Sequence, residues 1–129
     1  MVRGDIPEEV LQFVERRLDS VPHLETLLLL WEEPTRSWSE AEVGARVYVA
    51  AEQAQRILAD LARASLIIEA PSMPQRYIYN SAWDETGLME KVARAYRQHL
   101  VYIAELIHSR ATSDAVRDFA RAFQFKSGE

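Results

Sequence analysis

The sequence predicts a mainly α chain with one small β-hairpin, an α+β class. Three observations predict it. Apolar residues recur at helical spacing along most of the 129 residues. The period switches once, near residue 66, from helical to extended. Two strand-like segments then flank the turn-forming stretch Pro71-Ser72-Met73-Pro74-Gln75.

The first helix is expected from about Pro7 to Asp19. Asp5 suits its N-cap, Pro7 its first turn, and Glu8 and Glu9 the positive end of its dipole. Its apolar stripe is Val10, Phe13, Val14 and Leu18. Ser20 and Pro22 restart the chain. A second helix, about Pro22 to Glu33, is apolar nearly all round (Leu24, Leu27, Leu28, Leu30, Trp31), which predicts a central, buried position. Pro34 stops it, and Thr35 to Trp38 read as a short extended link.

Ser39 with Glu42 forms a capping box for a third helix over about Ser39 to Arg46, with Ala41, Val43 and Gly44 inward. Val47-Tyr48-Val49 reads as a turn. A fourth helix runs from about Ala50 to Ala64 on the stripe Ala54, Ile57, Leu58, Leu61. Leu66 to Ala70 and Arg76 to Asn80 are the two strands. After a linker, a long helix is expected from Thr86 to His108, a rod of about 33 Å at roughly 1.5 Å per residue. Its seam is Leu88, Val92, Tyr96, Leu100, Ile103 and Ile107. A last helix is expected from Ser113 to about Phe123.

The bulk numbers narrow the function classes. With 48 % hydrophobic and 27 % charged residues the chain reads as globular. Its longest apolar run, Leu27 to Trp31, is far short of the roughly 20 residues of a membrane span. The first residues carry acids where an export signal has an apolar core, so a cytoplasmic location is expected. There is no cysteine, which removes disulfides, thiolate nucleophiles and cysteine-held metals. The net charge of −5 is uneven: residues 1–40 hold nine acids against four bases. No phosphate-binding glycine loop, nucleophile elbow or paired-carboxylate motif is present, so no enzyme is expected. No cofactor is implied. His23, His99 and His108 are too scattered to suggest a metal-ligand set, and boundary positions are expected for them.

The element order from residue 22 to 80 is helix, link, helix, tight turn, helix, hairpin. It resembles the winged helix-turn-helix family of DNA-binding domains used by small bacterial transcription regulators. The resemblance rests on Ser39 to Ile68, SEAEVGARVYVAAEQAQRILADLARASLII. Ala41 matches the small residue before the turn, and Ile57, Leu58 and Leu61 the buried face of the recognition helix. Three segments follow: residues 1–21, an N-terminal helix; 22–80, the winged helix; 81–129, the long helix and a short terminal one.

The resemblance implies a helix lying in a DNA major groove about 12 Å wide. Gln53, Gln55 and Arg56 would read bases, since Gln pairs with adenine and Arg with guanine. Arg46, Arg63 and Arg76 would hold phosphates. It also implies a homodimer through the C-terminal helix, because a palindromic site wants a two-fold protein. The residues leave an alternative open. Residues 50–64 carry two acids and two arginines, Ala50 stands where a capping Ser or Thr is common, and the wing loop has no base before Arg76. A protein-docking module fits those features, with little or no DNA binding. Arg56 also lies four residues from both Glu52 and Asp60, where exposed ion pairs would use it up. Phe119, Phe123 and Phe125 read mainly as packing against the long helix, with a partner contact as the second choice.

Overall fold

A computed structural model describes residues 6–71 and 75–109. Asp5, the loop tip 72–74 and the expected last helix with Phe119, Phe123 and Phe125 lie outside the described residues. The element order is α1 (Glu8–Arg17), α2 (Val21–Glu32), β1 (Trp38–Ser39), α3 (Glu40–Val47), α4 (Ala51–Arg63), β2 (Ile67–Ala70), β3 (Arg76–Tyr79), a 3-10 turn (Ser81–Trp83) and α5 (Leu88–Gln98). A further helical segment, α6, covers residues 100–109.

Each helix forms where its local chemistry dictates. α1 opens on Pro7, with no side-chain cap, and buries Val10, Leu11, Phe13 and Val14. Ser20 caps α2 by accepting from the His23 backbone N–H, and Pro22 sits in the first turn, where a missing N–H costs nothing. The capping box of α3 is complete: Ser39 Oγ accepts from Glu42 N–H, and Glu42 accepts from Ser39 N–H at 2.9 Å. α4 buries Ala54, Ile57, Leu58 and Leu61, as its stripe predicts.

The two ends of the α3–α4 unit use left-handed backbone. Tyr48 ends α3 at φ 65°, and the N–H groups of Tyr48 and Val49 both return to Gly44 O. Gly44 is required there, because a Cβ would meet the Val49 carbonyl oxygen at 2.9 Å. Ser65, at φ 63°, ends α4 in a Schellman motif. Its N–H bonds Ala62 O, the Leu66 N–H bonds Leu61 O, and the Leu61 and Leu66 side chains are both buried.

The sheet has three antiparallel strands in the order β1-β3-β2, one more than the expected hairpin. Trp38 pairs with Tyr77 and Ser39 with Arg76. A two-residue strand carries no alternation to read, and only its partner makes it a strand. Tyr77 and Tyr79 are buried in the core, where β3 packs against α2.

Three expectations need correction. Ala41 is exposed; Val43 and Gly44 supply the inward face of α3. Ala41 is two residues before Val43, about 200° round the helix from it at roughly 100° per residue. α2 is central, but Leu28, Leu29 and Trp31 are only half-buried, because they border a groove and not a neighbouring helix. The long helix is broken. His99 leaves the helical region at φ −132°, ψ 47°, while its N–H still bonds Ala95 O and its carbonyl accepts from Ile103 N–H. The break re-phases the chain. Ile103 and Ile107 stay buried, whereas Leu100, expected in the same seam, is 52 % exposed beside Val101 at 66 %.

Candidate nucleic-acid interface

α4 stands between a buried face and an open one. Its inner face packs on α2 and α3. Glu52, Gln55, Arg56 and Arg63 are exposed on the other side, and Gln53 is half-buried. Among the described residues Arg56 takes part in no hydrogen bond or ion pair. The expected competition from Asp60 is removed by geometry. Asp60 accepts from Arg63 one helical turn on and contacts His23 Nε2 at 2.9 Å across the α2–α4 boundary.

The remaining arginines are held in different ways. Arg63 is exposed but paired with Asp60. Arg46, at the end of α3, is exposed with its guanidinium 5.4 Å from the Trp38 ring centre. Arg76 is half-buried at the root of the wing. It donates to Ser37 Oγ at 2.8 Å, to Ser37 O at 3.1 Å and to Glu42 Oε1 at 2.7 Å. The Ser39 backbone N–H first, and the Arg76 and Arg36 charges after it, hold the Glu42 carboxyl below its usual range in spite of partial burial. Arg36 also lies over the Trp38 ring at 3.7 Å. Arg76 therefore ties β3 to β1 and α3, and a phosphate would have to compete for it.

Polar contacts that sequence reasoning did not reveal fix α4 against the rest. Arg17 donates to Ala64 O at 2.8 Å, closing the C-terminus of α4 from α1. Asn80 donates to Ser65 O at 2.8 Å. Trp83 stacks on Phe13 with ring centres 5.4 Å apart and donates to Leu66 O, so the linker tryptophan caps the hairpin's base. These partners lie 15 to 70 residues apart, and no local spacing signals them.

Behind the turn, a groove of about 730 Å³ lies between α2, the end of α3 and α5, with Trp31, Tyr48 and Tyr96 on its walls. Burial, with Glu25 nearby, pushes the Tyr96 hydroxyl up to about 12, and it donates to Glu25 at 3.1 Å. It stays a neutral donor at physiological pH. No described helix is long and apolar enough to cross a membrane.

No protein-family model matches the chain, and no curated protein sequence matches it either. Solved structures do resemble it. Sco5413, a MarR family transcriptional regulator from Streptomyces coelicolor, aligns with TM-score 0.56 and 16 % identity over 93 % of this chain and 83 % of its own. RV1404 from Mycobacterium tuberculosis aligns with TM-score 0.52 and 18 % identity over 94 % and 84 %. The heme sensor protein PefR from Streptococcus agalactiae aligns with TM-score 0.54 and 12 % identity over 92 % and 84 %. Identities this low speak to the fold. The helix, tight turn, helix and three-stranded wing of this chain are those of a winged helix-turn-helix domain, in the arrangement found in MarR family regulators.

Proposed function

We propose that the chain is a DNA-binding transcription regulator that reads a duplex with α4 and works as a homodimer. The observation that carries this is the exposed Arg56, unpaired among the described residues, beside Gln55 on the outer face of the second helix of a helix-turn-helix. Gln53, Gln55 and Arg56 are the base-reading set, and Arg46 and Arg63 the phosphate contacts with least to give up. Arg76 contributes by holding the wing in place, and reaches a phosphate only at the expense of Glu42 and Ser37. The likeness to MarR family regulators supports the reading. The dimer contact is assigned to the C-terminal helices, where Leu100 and Val101 are exposed.

The test is fluorescence anisotropy on a labelled duplex at two salt concentrations. Binding that weakens steeply with salt is expected, since phosphates are neutralised. Arg56→Ala is expected to cost about tenfold or more in affinity on a selected site, the scale of one bidentate base contact. Absence of binding at low salt overturns the proposal and leaves α4 as a protein-docking face. Val101→Glu is expected to shift the protein towards monomer in sedimentation.

A further inference from the structure

We propose that Asp19, His23 and Asp60 form a binding site for one divalent transition-metal ion, of which Zn²⁺ is the probe. Each offers one ligand atom, and the three atoms lie within 4.8 Å of one another. Two come from the α1–α2 junction and the third from the middle of α4, so only the folded chain brings them together. An ion held at about 2.1 Å from each would need them about 3.0–3.4 Å apart. His23 Nε2 and Asp60 Oδ2 are already 2.9 Å apart, and Asp19, on the exposed side, has the short distance left to close.

The imidazole is oriented for this. Ser20 Oγ lies 2.6 Å from His23 Nδ1, the outer hydrogen bond that metal-bound histidines use to fix ring and tautomer. In a neutral ring without an ion, Nε2–H would donate to Asp60 and the Ser20 hydroxyl would donate to Nδ1. With the ion, the ring proton sits on Nδ1 and is donated to Ser20, leaving the Nε2 lone pair for the metal. Two carboxylate oxygens and one imidazole nitrogen suit a first-row ion with its remaining positions filled by water. The ion would draw on the same carboxylate that Arg63 uses, and so would bear directly on the outer end of α4.

The site is tested on the full chain without DNA, so its failure is separate from that of the regulator reading. Chelator-treated protein is titrated with Zn²⁺ by calorimetry. One ion per chain is expected, with affinity weakened about tenfold or more by Asp19→Asn and by His23→Gln, and unchanged by His108→Ala. Circular dichroism checks each variant. Should His23→Gln fail to fold, the exposed Asp19→Asn decides. No uptake at about 100 µM free Zn²⁺, well above ordinary ligand affinities, overturns the proposal. So does uptake that Asp19→Asn leaves unchanged.

Discussion

The wing root and the outer face of α4 each present an arginine, and the two are in opposite states. Arg76 makes three hydrogen bonds to Ser37 and Glu42 and is half-buried. Arg56 is exposed and, among the described residues, unpaired. Both were candidate DNA contacts from the resemblance to winged helix-turn-helix domains. The difference lies in their surroundings. Arg76 emerges from a strand paired with β1, directly opposite the capping box of α3. Arg56 emerges from the exposed face of α4, where no described residue pairs with it. An arginine engaged by the fold stabilises it, while one left in solvent is free to meet a ligand.

The largest expected effect lies beneath both. Leu58→Ala, at a fully buried position of α4, should cost about 2–5 kcal/mol of stability through lost burial and the cavity left behind. Denaturant unfolding checks it, and a loss below 1 kcal/mol would mean α4 is not seated as described. Next comes the contrast itself. Arg76→Ala should cost about 1–2 kcal/mol, since charged hydrogen bonds at a half-buried site are lost. Arg56→Ala should stay within about 0.5 kcal/mol of wild type. Equal losses would erase the distinction.

Ser65→Gly should raise stability by up to about 1 kcal/mol, because glycine takes the left-handed conformation at the end of α4 without steric cost. A lower melting temperature would assign a role to the Ser65 side chain that its exposure does not suggest. The smallest effect is with pH. Glu42 has a depressed folded value against an ordinary 4.5, so its contribution is present above 4.5 and fades as pH falls through the folded value. The stability gap between wild type and Glu42→Gln should therefore shrink on acidification, from less than about 1 kcal/mol at neutral pH. A gap that is constant from pH 7 to 3 would remove Glu42 from the wing root.

Much of the winged helix was legible because its signals are local. Ser39 and Glu42 are three residues apart, and the stripe of α4 repeats every turn. The proline-flanked loop separates two strands that differ visibly from the helices around them. β1 was not legible, since two residues have no period. Nor was the break at His99, where the seam through Leu100 continues in the sequence but not in the backbone.

The candidate site divides along the same line. The sequence by itself determined which residues can face outward on α4, because helical period sorts Gln55 and Arg56 from Ile57 and Leu58. Only the tertiary structure decided which charges remain available. Arg76 meets Glu42 from 34 residues away, and Asp60 meets His23 from 37. Side-chain pairing depends on distance in space, and apolar periodicity specifies each helix's buried face without specifying which polar groups the packing brings side by side.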